Sequence, residues 1–150
     1  MTPAAKVMIV DDDLETRQLL AEELRDLGHA SVHAADGVQA LSLVRHERPD
    51  LILLDLQLPA VDRSGVSGGD GFCVLERLRN IPEIASVPVI VFSGMRSPEV
   101  EERALLLGAC EFVHKSFNGN ALFEAIARVL AADAPSRQLP TRRLAVSSNV

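Results

Sequence analysis

The chain has 150 residues, 47% apolar and 24% charged, a balance that fits one packed domain with a short extension and excludes a wholly disordered chain. Its formal charge of -6 argues against a surface built for nucleic acid or anionic lipid, which needs clustered Lys and Arg. No apolar run approaches the ~18–20 residues of a membrane span, and the opening MTPAAKVMIVDDD lacks the long apolar stretch of a secretory signal, so a cytoplasmic protein is expected.

Short apolar, β-branched runs alternate with segments of helical periodicity, the pattern of an α/β domain with a parallel sheet. The first run is Lys6–Val10 (KVMIV), followed by Asp11, Asp12 and Asp13. Leu14, Leu20, Leu24 and Leu27 then recur near helical spacing, and Gly28 stands where a left-handed C-cap ends the helix. Ser31–Ala34 (SVHA) is the weakest strand, and Val38, Leu41 and Val44 mark a second helix. Leu51–Leu54 (LILL) is apolar throughout, as strands covered on both faces are, and Asp55 stands at its end.

Next comes Val61–Gly71 (VDRSGVSGGDG), whose four glycines precede the third helix, marked by Phe72, Leu75 and Leu78. Connections of this kind usually take ~2–6 residues, and longer ones tend to be functional or mobile. Pro88–Phe92 (PVIVF) is the fourth strand, with Ser93 just past it. Val100 to Leu107 gives a fourth helix stopped by Gly108. Cys110–Val113 (CEFV) is the fifth strand, Lys115 follows it, and Leu122, Ile126, Val129 and Leu130 form the apolar stripe of a fifth helix. From Ala132 the chain carries Pro, Ser and Arg without a sustained apolar period, which predicts a linker or disordered tail. Cys73 and Cys110 lie far apart without neighbouring ligand residues, so both are expected to be buried, inert thiols.

In an open parallel sheet, ligands bind beyond the carboxyl ends of the strands. The strand ends here carry Asp11, Asp12, Asp55, Ser93 and Lys115. Converging carboxylates repel one another, and a hard divalent cation with oxygen ligands is the simplest way to hold them ionised, Mg2+ being the first candidate and Mn2+ a substitute. A hydroxyl and an ammonium opposite that cation complete a pocket for a tetrahedral dianion. Asp55 then reads as a nucleophile toward phosphorus, with an acyl phosphate as product. Asp13 is expected to cap the first helix.

The motifs VDDD (10–13), LLDLQLP (53–59), VIVFSG (89–94) and FVHKSF (112–117) resemble those of the two-component response regulator receiver domains, in the family's order and over roughly Lys6–Leu130. The resemblance implies a flavodoxin-like, doubly wound five-stranded parallel sheet of order 2-1-3-4-5 with five helices; a chemotaxis regulator of this family is a standard example of that order. It implies a receiver domain over residues 1–131, with a Gly-rich insertion at about 61–71 and a flexible tail or linker over 132–150. Asp55 would be the phosphoacceptor, Asp12 a direct Mg2+ ligand, Asp11 the holder of a metal-bound water, and the Gln57 backbone carbonyl a third protein ligand. Ser93 would be the switch hydroxyl, Lys115 its cationic partner and Phe112 the aromatic that reports activation.

The implied partners are a sensor histidine kinase or histidine phosphotransfer protein, and an effector protein on the face made by the fourth helix, fifth strand and fifth helix. Homodimerisation on phosphorylation is a further expectation, with no nucleic-acid or membrane contact by this chain. The implied role is a phosphoacceptor signalling domain, limited to its own Mg2+-dependent phosphorylation and dephosphorylation.

Three features depart from the family pattern. Ser116 replaces the usual proline after the lysine, and a cis bond without proline costs ~2.5–4 kcal/mol, so Lys115–Ser116 is open to a trans form that would re-aim the ammonium. Gln57 places a longer amide where the family often modulates hydrolysis, and the Gly-rich segment sits beside the acceptor. The alternative enzyme is a haloacid-dehalogenase-like phosphatase, whose first motif Asp11-x-Asp13 superficially matches. Only Glu124 and Asp133 follow Lys115, separately placed, where that family needs a late acidic pair. A phosphorylation-independent interaction module is a further reading.

Overall fold

The structure, a computed structural model, describes residues 4–60, 69–115 and 120–138. Five strands and five helices alternate: β1 Lys6–Val10, α1 Leu14–Asp26, β2 Ala30–Ala34, α2 Gly37–Glu47, β3 Leu51–Leu54, α3 Gly71–Arg79, β4 Val89–Ser93, α4 Pro98–Leu106, β5 Glu111–His114 and α5 Asn120–Gln138. The strands form one sheet in the order β2-β1-β3-β4-β5, with every neighbouring pair parallel. The parallel α/β sheet is what the alternation predicts, and its doubly wound order is the one the resemblance implies. Because all strands run one way, their carboxyl ends share an edge.

The apolar strands have a core on each face. Val7, Ile9, Leu51, Leu53 and Ile90 pack with Leu20 and Leu24 of α1 and with Leu122, Ala125, Ile126 and Leu130 of α5. Met8, Val10, Ile52, Leu54, Val89 and Val91 face the other way, against Ala40 and Val44 of α2, Leu75 and Leu78 of α3, and Ala104 of α4. One strand thus feeds two cores through its period of two, which is why β3 reads as a continuous apolar run. β2 is an edge strand, pairs only with β1, and is half-exposed along most of its length, which accounts for its weak sequence pattern.

Three helices begin on an aspartate N-cap: Asp13, Asp36 and Asp70 accept from the amides of Thr16, Gln39 and Cys73 respectively. Gly28 ends α1 at φ +90 and Gly108 follows α4 at φ +109, backbone states that L side chains rarely adopt.

The pairing shifts several expected boundaries. β4 starts at Val89, since Pro88 has no N–H to add to a ladder, and it runs through Ser93. β5 is Glu111–His114, one residue later than the expected Cys110–Val113, because its register partners run from Ile90 to Ser93. α4 starts at Pro98, the favoured first helical position for proline. α5 is helical through Gln138, past the point where the sequence places the start of the tail. The cysteines are a correction: Cys73 and Cys110 are both exposed, although partial burial and, secondarily, Glu111 push the Cys110 thiol above its ordinary range. Residues 61–68 of the Gly-rich segment, the Lys115–Ser116 bond and the tail beyond 138 lie outside the described residues.

Candidate functional site

Asp11 follows β1, Asp55 follows β3, Ser93 ends β4 and Lys115 follows β5. The parallel register carries these residues, separated by up to 104 positions in sequence, to one edge of the sheet. The Lys115 Nζ donates to Asp11 Oδ2 at 2.7 Å and to Asp55 Oδ2 at 2.9 Å. Both carboxylates are nearly sealed from solvent, with Asp11 2% and Asp55 4% exposed. Asp12 remains exposed beside them, yet Asp11, Asp12 and Asp55 each offer an oxygen within 4.8 Å of the others.

Each carboxylate is also aimed by its own backbone. Asp11 Oδ1 accepts from the Asp13 amide at 2.9 Å, and Asp55 Oδ1 from the Gln57 amide at 3.0 Å. These short loops fix rotamers that a free side chain would sample. The Asp11 carbonyl is held by the Arg17 guanidinium, whose Nη1 donates at 2.6 Å. Burial lowers the Lys115 pKa, but the hydrogen bonds from the ammonium to Asp11 and Asp55 outweigh it and leave the value above its ordinary 10.5. The Phe92 ring adds a face 5.6 Å from the ammonium.

The remaining expected residues have distinct places. Ser93 is fully buried, and its Oγ accepts from the Met95 amide at 3.2 Å. Gln57 is exposed, and its Oε1 would lie 3.3 Å from a Cβ built on Gly94, so its side chain spans toward the turn after β4. Phe112 is half-buried, packs on the core under α2, α3 and α4, and meets the ring of His114 edge-on. Asp13 stands apart from the acidic pocket: its carboxylate accepts from both the amide and the hydroxyl of Thr16. It serves as the first helix's cap.

Sequence reasoning missed two supports of the site. Arg17 is one; its place in the first turn of α1, six residues after Asp11, was the available signal. Gly71 is the other. A Cβ there would fall 2.3 Å from the Leu56 Cα and 2.7 Å from the Asp55 carbonyl oxygen, so α3 begins in contact with the backbone that carries Asp55. The Gly71 amide also donates to the Leu56 carbonyl at 3.2 Å.

The donor set suits a hard divalent cation. Three carboxylates and one ammonium leave two uncompensated negative charges, and oxygen is the donor that Mg2+ and Mn2+ prefer. The acidic pocket is therefore able to hold a metal.

Comparison with known proteins agrees with this geometry. The family model for the response regulator receiver domain matches residues 7–127. The sporulation initiation phosphotransferase F of Bacillus subtilis is 34% identical over 125 residues, covering 83% of this chain and 93% of that protein. A gliding motility regulatory protein of Myxococcus xanthus is 37% identical over 131 residues, which is 85% of this chain and 16% of the relative. Against several transcriptional regulators, the chain spans about half of the relative's length. Among solved structures, the chemotaxis protein CheY4 of Vibrio cholerae superposes with a TM-score of 0.74 at 29% identity, covering 85% of this chain and 99% of that one. The BeF3-activated N-terminal receiver domain of Klebsiella pneumoniae RstA gives 0.73 at 26%, covering 83% and 97%.

The match removes the phosphatase alternative, whose second motif acid, Asp13, is the helix cap. Among the described residues no helix is long and apolar enough to cross a membrane. Members of the matched family interact with histidine kinases or phosphotransfer proteins and with effectors, and they signal rather than turn over metabolites. The chain belongs to that family and is a receiver domain of the two-component response regulators.

Proposed function

We propose that this receiver domain takes a phosphoryl group onto Asp55 from a histidine kinase or histidine phosphotransfer protein and changes its partner surface in response. One observation carries the reading: a buried carboxylate at the end of β3 is held at 2.9 Å by an ammonium from β5, with two further carboxylates gathered beside it. That combination sets Asp55 between an ammonium and two further carboxylates whose oxygens could share a cation.

In the transfer, one Asp55 oxygen attacks phosphorus, the P–N bond to the donor imidazole breaks, and the donor histidine leaves with the bonding pair. The Gln57 amide holds Oδ1, which orients the carboxylate before attack. Lys115 is placed to follow the developing charge on the phosphoryl oxygens. Mg2+, or Mn2+ in its place, would be held by Asp12, Asp55 and the Gln57 carbonyl, with Asp11 through a water, and supplies charge neutralisation when bound. Afterwards Ser93 rotates its hydroxyl from the Met95 amide to a phosphoryl oxygen, a change between staggered wells that serine permits at little cost. Loss of the group by hydrolysis resets the domain.

Phosphorylation then biases two packings of the β4–α4 turn and Phe112. The effector surface is the α4, β5 and α5 face, where Leu105 and Leu106 stand exposed, and it also offers a route to homodimers. The domain works in the cytoplasm through protein contacts. Incubation with acetyl phosphate and Mg2+, followed by mass-spectrometric mapping, tests the reading. Stoichiometric modification at Asp55, absent from Asp55→Asn, is expected; modification elsewhere would overturn it.

A further inference from the structure

Ser93 and His114 are register partners at the last positions of β4 and β5. Side chains paired in register on parallel strands share a face, and two residues earlier the same face carries Val91 and Phe112. Those two pack with the core beneath α2, α3 and α4, as does half-buried Met95 from the turn after β4. Ser93, Met95, Phe112 and His114 thus meet at one corner, beside the acceptor site but outside it.

At that corner one hydrogen bond is made and one is missing. Ser93 Oγ accepts from the Met95 amide at 3.2 Å. His114 Nδ1 is buried and has no hydrogen-bond partner among the described residues, while its ring lies edge-on to Phe112 with centroids 5.1 Å apart at 73°. A buried ring nitrogen left unpaired is unfavourable and rare in native proteins, so a second arrangement that pairs it is favoured by the same amount. Neutral imidazole with its proton on Nε2 presents Nδ1 as an acceptor.

We propose that His114 is a positioning residue of the switch: when Ser93 turns toward the phosphoryl group, His114 Nδ1 accepts the Met95 N–H that Ser93 releases. The inference rests on the switching role given to Ser93 above. It supplies what that role lacks, since rotation of Ser93 alone would leave the Met95 amide without its acceptor. With His114 in place the Met95 amide keeps an acceptor in both packings and the orphan belongs to the resting one. Through its ring contact His114 also conveys the movement of the turn to Phe112. An apolar side chain at 114 would fill the same space against Phe112 and accept nothing.

The test uses the full chain labelled with 15N at histidine and on the backbone, titrated with beryllofluoride in the presence of Mg2+ at constant pH. The expected result is an upfield move of the His114 Nδ1 resonance, the direction an accepted hydrogen bond gives, together with a shifted Met95 amide. His114→Val should raise the beryllofluoride concentration needed for half-saturation by roughly five- to tenfold, the worth of one hydrogen bond, and His114→Gln, which keeps an acceptor, should recover part of it. If the Gln57 and Lys115 amides respond while His114 Nδ1 stays still, the inference is overturned and the phosphoacceptor reading stands. If those amides do not respond either, both fall.

Discussion

Lys115 and Arg79 are long cations held half inside the protein, one at the carboxyl edge of the sheet and the other at the amino edge. The Lys115 ammonium meets two carboxylates, at 2.7 and 2.9 Å. The Arg79 guanidinium meets neutral carbonyls instead, those of Ala85 at 2.8 Å and Val87 at 2.6 Å, and its Nε has no hydrogen-bond partner among the described residues. Burial disfavours the charge in both. For Lys115 the bonds to Asp11 and Asp55 reverse that effect, whereas for Arg79 the nearby Cys110 offsets it only in part and the pKa stays below its ordinary value. A buried charge is therefore not in itself the mark of a site. At the carboxyl edge the cation answers an excess of negative charge that has no structural use, and at the amino edge it fastens a turn.

The largest expected effect breaks the first of these arrangements. Lys115→Met removes the ammonium shared by two buried carboxylates, and without divalent cation it should cost about 3 kcal/mol of unfolding free energy, since breaking a buried ion pair strands its partner. Millimolar Mg2+ should restore most of that loss in a urea titration. An equal loss with and without Mg2+ would mean that a cation does not share the carboxylates with Lys115. The pH dependence has a definite sign: the folded-state pKa lies above 10.5, so the ammonium's contribution is complete below that value and disappears as pH rises through the folded pKa.

Arg79→Met should cost about 2 kcal/mol by leaving the Ala85 and Val87 carbonyls without their donor, and here Mg2+ should make no difference. Phosphoryl uptake should survive it. Dependence on Mg2+ would erase the distinction between the two edges.

Gly71→Ala sharpens the comparison on the acceptor's side. The added methyl would meet the Leu56 and Asp55 backbone, and Gly71 has no positive φ, so the effect is one of space rather than conformational freedom. Overpacking of this kind costs about 1–3 kcal/mol. Because the backbone that must yield carries Asp55, acetyl phosphate labelling should slow as well. Normal labelling in a destabilised variant would show that the two effects separate.

The fold was legible because its main signals are periodic. LILL and KVMIV could be placed to the residue from their apolar runs and the stripe of α5 from its apolar spacing, whereas of the four leucines that marked α1 only Leu20 and Leu24 are buried and Leu14 and Leu27 are exposed. The four strand-end residues Asp11, Asp55, Ser93 and Lys115 followed once the strands were placed. Periodicity reports a face, however, and not a partner. Nothing in Arg79's neighbourhood says that its guanidinium turns back to carbonyls six and eight residues on, and nothing in the glycine-rich segment marks Gly71 as a glycine set against the acceptor's backbone. Ser93 was placed just beyond β4 because pairing with His114, which extends the strand by one residue, depends on a neighbour far along the chain. The orphaned nitrogen of His114 was hidden for the same reason.

The smallest effect concerns two adjacent aspartates of the same acidic run. Asp13 is bound to Thr16, and the Thr16 side chain is the first cause of its lowered pKa, so its contribution is present above pH 3.8 and lost as pH falls through the folded value. Asp13→Ala should lower the thermal midpoint slightly by uncapping α1 and leave Mg2+ affinity within about twofold. Asp12 makes no such cap and offers its oxygen to the cluster with Asp11 and Asp55. Asp12→Ala should weaken Mg2+ binding roughly tenfold or more, since even indirect supports of a metal site commonly cost that much, while the midpoint without metal barely moves or rises as repulsion is relieved. Isothermal titration and thermal melts on both variants make the contrast measurable. If Asp13→Ala proved the more damaging to Mg2+ binding, the cap would belong to the metal site, and the boundary between structural and functional charge would have to move one residue into the helix.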